Sequence, residues 1–239
     1  MNWIRLAGKI RSAGQIIQGK IYPSFSQAGE DQLIRYLFQN LGIEYPTYLD
    51  IGANHPFLGN NTFLFYSRGC RGVCIEPDPN LFELIKKNRK RDVILNAGIG
   101  GGVADVQGDL YVFPDPYSGW NTFSQEEAMN RSVDTGIKIK SVQKIDLLNI
   151  NNVMGRYFKP WPNLLSIDVE GMDLEIIQSI DFSLYRPEVI CAETITFSME
   201  RKEEKIRDIS HYLSSKGYFE FGDTHINTIF CRDDIYKKR

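Results

Sequence analysis

Two hydrophobic rhythms alternate along the chain. Short apolar runs recur at Tyr48–Ile51, Gly72–Glu76, Val93–Asn96, Leu164–Asp168 and Val189–Glu193. Between them, apolar residues return every three or four positions, as on one face of a helix. From Ser26 to Gly42 that face is Leu33, Ile34, Leu37 and Phe38, with Ser26 as N-cap, Glu30 and Asp31 in the first turn and Gly42 as the stop. Asn61–Arg68 reads as a helix ending at Gly69. Pro79 opens another, which runs through Leu81, Leu84 and Ile85 to a basic end at Lys86–Arg91. Leu174–Ile180 and Glu203–Lys216 are two more, the second stopped by Gly217. Strands alternating with helices predict an α/β fold with a parallel sheet. Tyr218–Phe221 and Asn227–Arg232 read as a closing hairpin.

The alternation breaks over residues 98–145. Glycines are frequent there, Pro114 and Pro116 lie close together, and Asp109–Phe113 and Ile137–Ile145 are strand-like. The pattern predicts a small antiparallel insertion, with Tyr117–Asn130 as a mobile loop. No internal repeat, low-complexity tract or linker interrupts the rest.

Composition narrows the class. With 239 residues, 42% hydrophobic and 24% charged, the sequence fits one soluble globular domain. A net charge of −2 argues against a general nucleic-acid binder. Cys70, Cys74, Cys191 and Cys231 have no CxxC spacing and read as buried free thiols of a reducing compartment. No run approaches the ~20 apolar residues of a membrane span, and no signal peptide is visible. A cytoplasmic location is expected. Residues 1–29 contain no acid, while Trp3, Ile4, Leu6, Ile10, Ile16 and Ile17 fall at roughly helical spacing. A basic amphipathic segment over 1–23 would allow peripheral contact with the inner membrane face.

Ligands of open α/β sheets sit at the carboxyl ends of the strands. Here those ends carry Asp50, Glu76, Asn96, Asp168 and Glu193. Core packing does not call for charged exits, and clustered carboxylates repel unless a cation, a proton or a donor joins them. After Asp50 the small residues Gly52 and Ala53 let backbone approach a ligand closely. Gly52 is followed by Asn54 rather than a second glycine, so a nicotinamide site is disfavoured, and no phosphate-binding P-loop is present. Asp50 suits an ammonium group better than a pyrophosphate. Glu76 lies where an acid can accept hydrogen bonds from ribose hydroxyls. Asp78, between two prolines, reads as a turn former.

Several blocks together resemble the FkbM family of class I S-adenosylmethionine-dependent methyltransferases. They are Ser26–Asp31, Leu49–Asn54, Cys74–Pro77, Asn96–Gly100, Ser166–Gly171 and Asn227–Phe230, spanning residue 24 to the end. The resemblance implies a methyltransferase domain over 24–239 with an insertion at about 101–145. It implies a Rossmann-like, seven-stranded, mostly parallel sheet with an antiparallel last strand, and O-methylation, often of a sugar hydroxyl. Asp50, Gly52 and Asn54 would line the methionine end of the cofactor, Glu76 the ribose, and Asn96 and Ala97 the adenine. Asp168 would face the cofactor amino group or the acceptor. Gln27, Glu30 and Asp31 match a motif that would close over the cofactor. His55 departs from the small or aromatic residue expected there, and no role is taken from it.

A sugar hydroxyl is a weak nucleophile and needs a base or a metal to draw off its proton. The candidates are Asp168, Glu170, Glu193 and His225. In one arrangement the first three carboxylates bind Mg²⁺ or Mn²⁺; in the other, a carboxylate or His225 acts directly as base. Tyr117, Trp120, Asn121 and Thr122 suit acceptor binding, since aromatic faces stack on sugar rings and amides and hydroxyls pair with their oxygens. The expected acceptor is a saccharide or glycoconjugate, with a lipid-linked glycan favoured by the basic N-terminus. A small polyketide or peptide acceptor, and a non-catalytic nucleoside-binding module, are the alternatives.

Overall fold

The computed structural model describes residues 22–102, 106–197 and 204–237. All but the last two residues of the basic 1–23 segment therefore lie outside the described residues. In chain order the first elements are α1 (Glu30–Leu41), β1 (Tyr48–Ile51), α2 (Phe63–Ser67), β2 (Gly72–Ile75), α3 (Pro79–Asn88) and β3 (Val93–Leu95). Next come β4 (Gly98–Gly100), β5 (Val106–Val112), α4 (Gln125–Thr135), β6 (Ser141–Asn149) and α5 (Ile150–Tyr157). The last are β7 (Leu164–Ile167), α6 (Asp173–Gln178), β8 (Val189–Glu193), α7 (Arg207–Ser215), β9 (Tyr218–Asp223), β10 (Asn227–Arg232) and α8 (Asp233–Tyr236).

Seven strands form one sheet in the order β3-β2-β1-β7-β8-β10-β9. The first five pair in parallel, and β10 runs antiparallel to both β8 and β9. A second sheet, β4-β6-β5, pairs β5 antiparallel and β4 parallel to β6. This is the Rossmann-like sheet with a small β insertion that the sequence predicts.

Strand residues alternate between two covered faces. Leu49, Ile51, Val73, Ile75, Leu165 and Ile167 pack with Val153 and Met154 of α5, Ile176 and Ile177 of α6, and Ile209 and Leu213 of α7. Their neighbours Tyr48, Cys74, Leu164 and Cys191 pack with Ile34, Leu37 and Phe38 of α1, Phe65 and Tyr66 of α2, and Ile85 of α3. The result is a three-layer sandwich. All four cysteines are buried and unpaired.

Several boundaries differ from those expected, each for a local reason. Helix α1 starts at Glu30 rather than Ser26, because Gly29 adopts φ 98° and the Ser26 hydroxyl accepts from the Asp31 N–H from outside the helix. Helix α7 starts at Arg207 rather than Glu203, because Lys205 pairs antiparallel with Ile195. Strand β6 extends to Asn149, whose side chain caps the unanticipated α5 by accepting from the Asn151 and Asn152 N–H groups. Tyr117–Asn130, expected as a mobile loop, instead holds a 3₁₀ turn at Ser118–Trp120 and the first part of α4. The Ser124 hydroxyl accepts from the Glu127 N–H, and Glu126 and Glu127 in the first turn suit the helix dipole.

Two features fix the end of β1. Arg89, just after α3, is fully buried beneath it. Its Nε lies 2.8 Å from Asp92 Oδ2, its Nη2 donates to Thr62 Oγ1 at 2.8 Å, and its Nη1 donates to Asn60 Oδ1 and lies 3.7 Å from Asp50 Oδ2. Asp92 also accepts from the Tyr48 hydroxyl and the Gly72 N–H, so one arginine–aspartate pair ties β1, β2 and the α3 exit together. The second feature is Gly52, at φ 78°, where a Cβ would stand 1.9 Å from the Asp168 carbonyl oxygen. The turn after β1 thus lies against the end of β7 with no room for a side chain.

Removing one partner of a buried ion pair strands the others. Arg89→Met is expected to destabilise the protein by about 3–5 kcal/mol, read as a lowered urea midpoint with unchanged slope. Gly52→Ala adds a positive-φ penalty to a backbone clash. It is expected to cost more than ~1 kcal/mol in the same measurement.

Candidate active site

The winding reverses between β1 and β7. The chain moves outward through β2 and β3, then returns to lay β7 on the other side of β1. Such a switch point opens a crevice at the carboxyl ends of the strands. A cavity of about 310 Å³ lies there.

Its floor is the Gly52 turn, flanked by Glu76 from the end of β2 and Asp168 from the end of β7. Asn54 takes the left-handed conformation at φ 50°, which aims its N–H at Glu76 Oε2, 2.7 Å away. The Asp78 N–H donates to the other oxygen, Oε1, at 2.8 Å. These two donors hold the carboxylate in place but do not offset its burial, which pushes the Glu76 pKa up to about 7. Beyond Glu76 the walls are apolar, with Leu81, Ala97, Ile99 and Phe123. Gln27 lines the opposite rim. No hydrogen-bond donor among the described residues reaches the Asp168 carboxylate. Its pKa is raised by burial and then by the charges of Glu170 and Asp50.

The insertion covers the cavity. Trp120 and Asn121 face it. Asn121 is clamped from both sides, accepting from the Phe113 N–H and donating to Asp78 Oδ2 at 3.1 Å. Asp78 also caps α3, as a turn former should. Arg131 of α4 is buried, with Nη2 2.7 Å from Glu170 Oε2 and Nη1 donating to the Trp120 carbonyl. The αL conformation of Glu170, φ 59°, turns its side chain to meet this arginine.

The structure thus gathers Gln27, Gly52, Asn54, Glu76, Ala97, Trp120, Asn121, Asp168 and Glu170 of the expected site around one cavity. Others lie off it. Asp50 is buried beneath the floor, where its Oδ2 accepts from Thr62 at 2.6 Å and from Asn60 at 3.2 Å. Glu30 accepts from Thr224, Asn227 and the Ala28 N–H, and Asp31 from Ser24, Ser26 and the Phe25 N–H. Both acids are spent on holding the chain segment before α1 against α1 and the β9–β10 turn. Asn96 is exposed and donates to the Glu76 and Pro77 carbonyls, bracing the strand end from outside. Tyr117 stacks on Trp120 at 4.5 Å rather than lining the cavity, and buried Thr122 donates to the Glu170 carbonyl. His225 sits exposed in the β9–β10 turn at φ 76°.

Glu193 faces a different, neighbouring cavity. The three carboxylates suggested for Mg²⁺ or Mn²⁺ are therefore divided, with Glu170 already paired to Arg131. Among the described residues no group of three or more His, Cys, Asp or Glu is arranged to hold a metal ion. No described helix is long and apolar enough to cross a membrane.

Sequence reasoning missed Arg89, Arg131, Asp173, Asn60 and Thr62. The polar run Asn60-Asn61-Thr62 was the available signal, since such a run directly before an apolar helix has polar work to do. Arg131 had none: its stretch is mostly polar, and nothing in it marks this arginine as buried.

Among curated proteins, the hexuronic acid methyltransferase AglP of Haloferax volcanii is 23% identical over 165 residues, covering 69% of this chain and 62% of that protein. The match thus spans about three fifths of the relative's length. Among solved structures, an O-methyltransferase from Bacillus cereus in complex with S-adenosylhomocysteine superposes with TM-score 0.44 at 12% identity, covering 93% of this chain and 89% of that one. A 1,6-didemethyltoxoflavin N1-methyltransferase from Burkholderia thailandensis gives 0.41 at 10% identity, covering 97% and 89%. The model of the methyltransferase FkbM domain matches residues 50–219, well over half of the sequence, and the protein belongs to that family.

Proposed function

We propose that the protein is an S-adenosylmethionine-dependent O-methyltransferase acting on a hydroxyl of a saccharide or glycoconjugate. The observation that supports this most directly is the placing of two carboxylates, Asp168 and Glu76, on either side of a side-chain-free turn in one cavity. The cofactor is a nucleoside with a cationic amino-acid tail, and the donor set matches it. Asp168, which no donor among the described residues reaches, would accept from the ammonium group. Glu76 would accept from the ribose hydroxyls with the lone pairs its two backbone donors leave free. Leu81, Ala97, Ile99 and Phe123 would enclose the adenine. This shifts the ammonium role from Asp50, which would act from below by fixing the turn.

When bound, S-adenosylmethionine supplies a methyl group on positively charged sulfur. The protein's part is to align an acceptor oxygen with that methyl, exclude water and take up the hydroxyl proton. Trp120 and Asn121 close the cavity from above. Asp168 and Glu170 are the carboxylates on its wall that can receive the proton. The saccharide class of the acceptor rests on the relative AglP, named for hexuronic acid.

Calorimetry with S-adenosylhomocysteine and with NAD tests the cofactor. Binding of the former alone is expected; binding of NAD alone, or of neither, would sink the reading. Loss of hydrogen bonds to a charged group costs ~1.5–3 kcal/mol, so Glu76→Gln is expected to weaken S-adenosylhomocysteine by about ten- to a hundredfold. The sign of the pH effect follows from the same group. Ribose hydroxyls favour the ionised carboxylate, whose pKa in the free site is about 7. Affinity is therefore expected to rise from pH 6 to pH 8, with a flatter profile in Glu76→Gln. Comparing the mass of the host's glycans with and without the gene tests the acceptor: one CH₂ per modified site should disappear.

A further inference from the structure

A second cavity of about 210 Å³ lies across the Arg131–Glu170 pair from the first. Arg131, Asp173 and Glu193 supply its polar side, and Phe197, Ile206 and Ile209 its apolar side. The two cavities adjoin at consecutive residues. Glu170 lines the first and its neighbour Gly171 the second. The Trp120 ring of the first meets Phe197 of the second edge-on at 5.4 Å.

Two atoms in this second cavity are unsatisfied. Arg131 Nε and Asp173 Oδ1 are buried and have no hydrogen-bond partner among the described residues, although Nε lies 3.8 Å from Glu127 Oε2 in a long ion pair. Both residues are at least nine-tenths buried. A buried donor and a buried acceptor left unpaired are costly, and native proteins leave few of them without a reason.

We propose that this cavity binds the acceptor, and that the acceptor is an uncharged sugar ring presenting hydroxyls rather than a uronate. The proposal rests on the methyl-transfer reading and refines its substrate. A hydroxyl is the group that answers both unsatisfied atoms, because it accepts from Arg131 Nε and donates to Asp173 Oδ1. A ligand carboxylate would satisfy the arginine alone and would face Asp173, Glu193 and Glu127. A ligand ammonium would satisfy the aspartate and meet the arginine. Burial and mutual repulsion already raise the pKa of both Asp173 and Glu193, so a further negative charge in this cavity would add to an existing repulsion. Phe197 and the isoleucines offer the C–H face of a pyranose a flat apolar surface. In this respect the chain would differ from its relative named for hexuronic acid.

Ligand-observed saturation-transfer NMR on the full chain tests this, with and without S-adenosylhomocysteine. The probes are the methyl glycosides of glucose, galactose, mannose and rhamnose, and those of glucuronic and galacturonic acid. At least one neutral glycoside is expected to show transfer and the uronates none. Asp173→Asn and Thr196→Trp, the latter filling the exposed mouth of the cavity, are each expected to weaken the neutral sugar about tenfold or more, and Thr196→Trp to leave S-adenosylhomocysteine affinity unmoved. The Thr196 variant keeps the test valid if Asp173→Asn fails to fold. Uronate binding as good as neutral binding, no glycoside binding at all, or neutral binding indifferent to Thr196→Trp would each overturn the proposal. Failure of S-adenosylhomocysteine to bind would instead count against the cofactor reading, and the sugar measurement on the protein alone would still decide the acceptor.

Discussion

Too many carboxylates for the available cations, all gathered at the ends of adjacent strands, is the constraint around which this molecule is built. Asp50, Glu76, Asp168, Glu170, Asp173 and Glu193 lie there, and among the described residues Arg89 and Arg131 are the cations buried with them. Charge crowded at low dielectric has to be answered by a cation, a proton or an N–H group. Each acid is answered differently. Asp50 has Arg89, Thr62 and Asn60 beneath it. Glu76 has two backbone N–H groups, one of them aimed by the left-handed Asn54. Glu170 has Arg131, brought in by a helix of the insertion. The unusual backbone at Asn54 and Glu170 is thus the geometry by which donors reach these carboxylates. Asp168 is left facing the cavity with no donor among the described residues. A ligand carrying positive charge completes that account, and this is the physical content of the proposed cofactor.

The fold was legible because its signals were local and redundant. Tyr48–Ile51, Val189–Glu193 and Asn227–Arg232 are bounded as the apolar runs predict, since a strand buried on both faces can contain little else. The insertion was legible as a break in rhythm but not in its contents. Helices α4 and α5 were overlooked because α4 is largely polar, α5 spans only 8 residues, and their start signals are single capping residues, Ser124 and Asn149. Of the site, the strand-end acids could be found by position alone. What each acid does could not, since that depends on which side chain arrives from elsewhere in the chain. Asp50 and Asp168 look alike in sequence. Arg89 and Asn60 reach one and leave the other open. Glu30 and Asp31 show the converse: acids before the sheet invited a ligand role, yet chain neighbours and the β9–β10 turn consume their oxygens.

The insertion links the two cavities. Its Asn121 hangs between Asp78 and the Phe113 backbone, so the roof of the first cavity is tied to the cap of α3. Its Trp120 touches Phe197, and its Arg131 contacts Glu170 while lining the second cavity. Any movement that admitted a cofactor past Trp120 would therefore be felt at Arg131. Under the proposed reading the two ligands are not bound independently. A sugar that pairs with Arg131 Nε would help hold the guanidinium in the orientation that fixes Glu170 and the Trp120 carbonyl, and so would favour the closed roof. Coupling of this kind works in both directions, since a ligand that stabilises one arrangement raises the affinity of any other ligand that prefers it. Because the sheet supplies the charged floor and the insertion supplies the roof and Arg131, a new side chain in the insertion can alter how the two cavities meet without disturbing Arg89 or the strand ends above it.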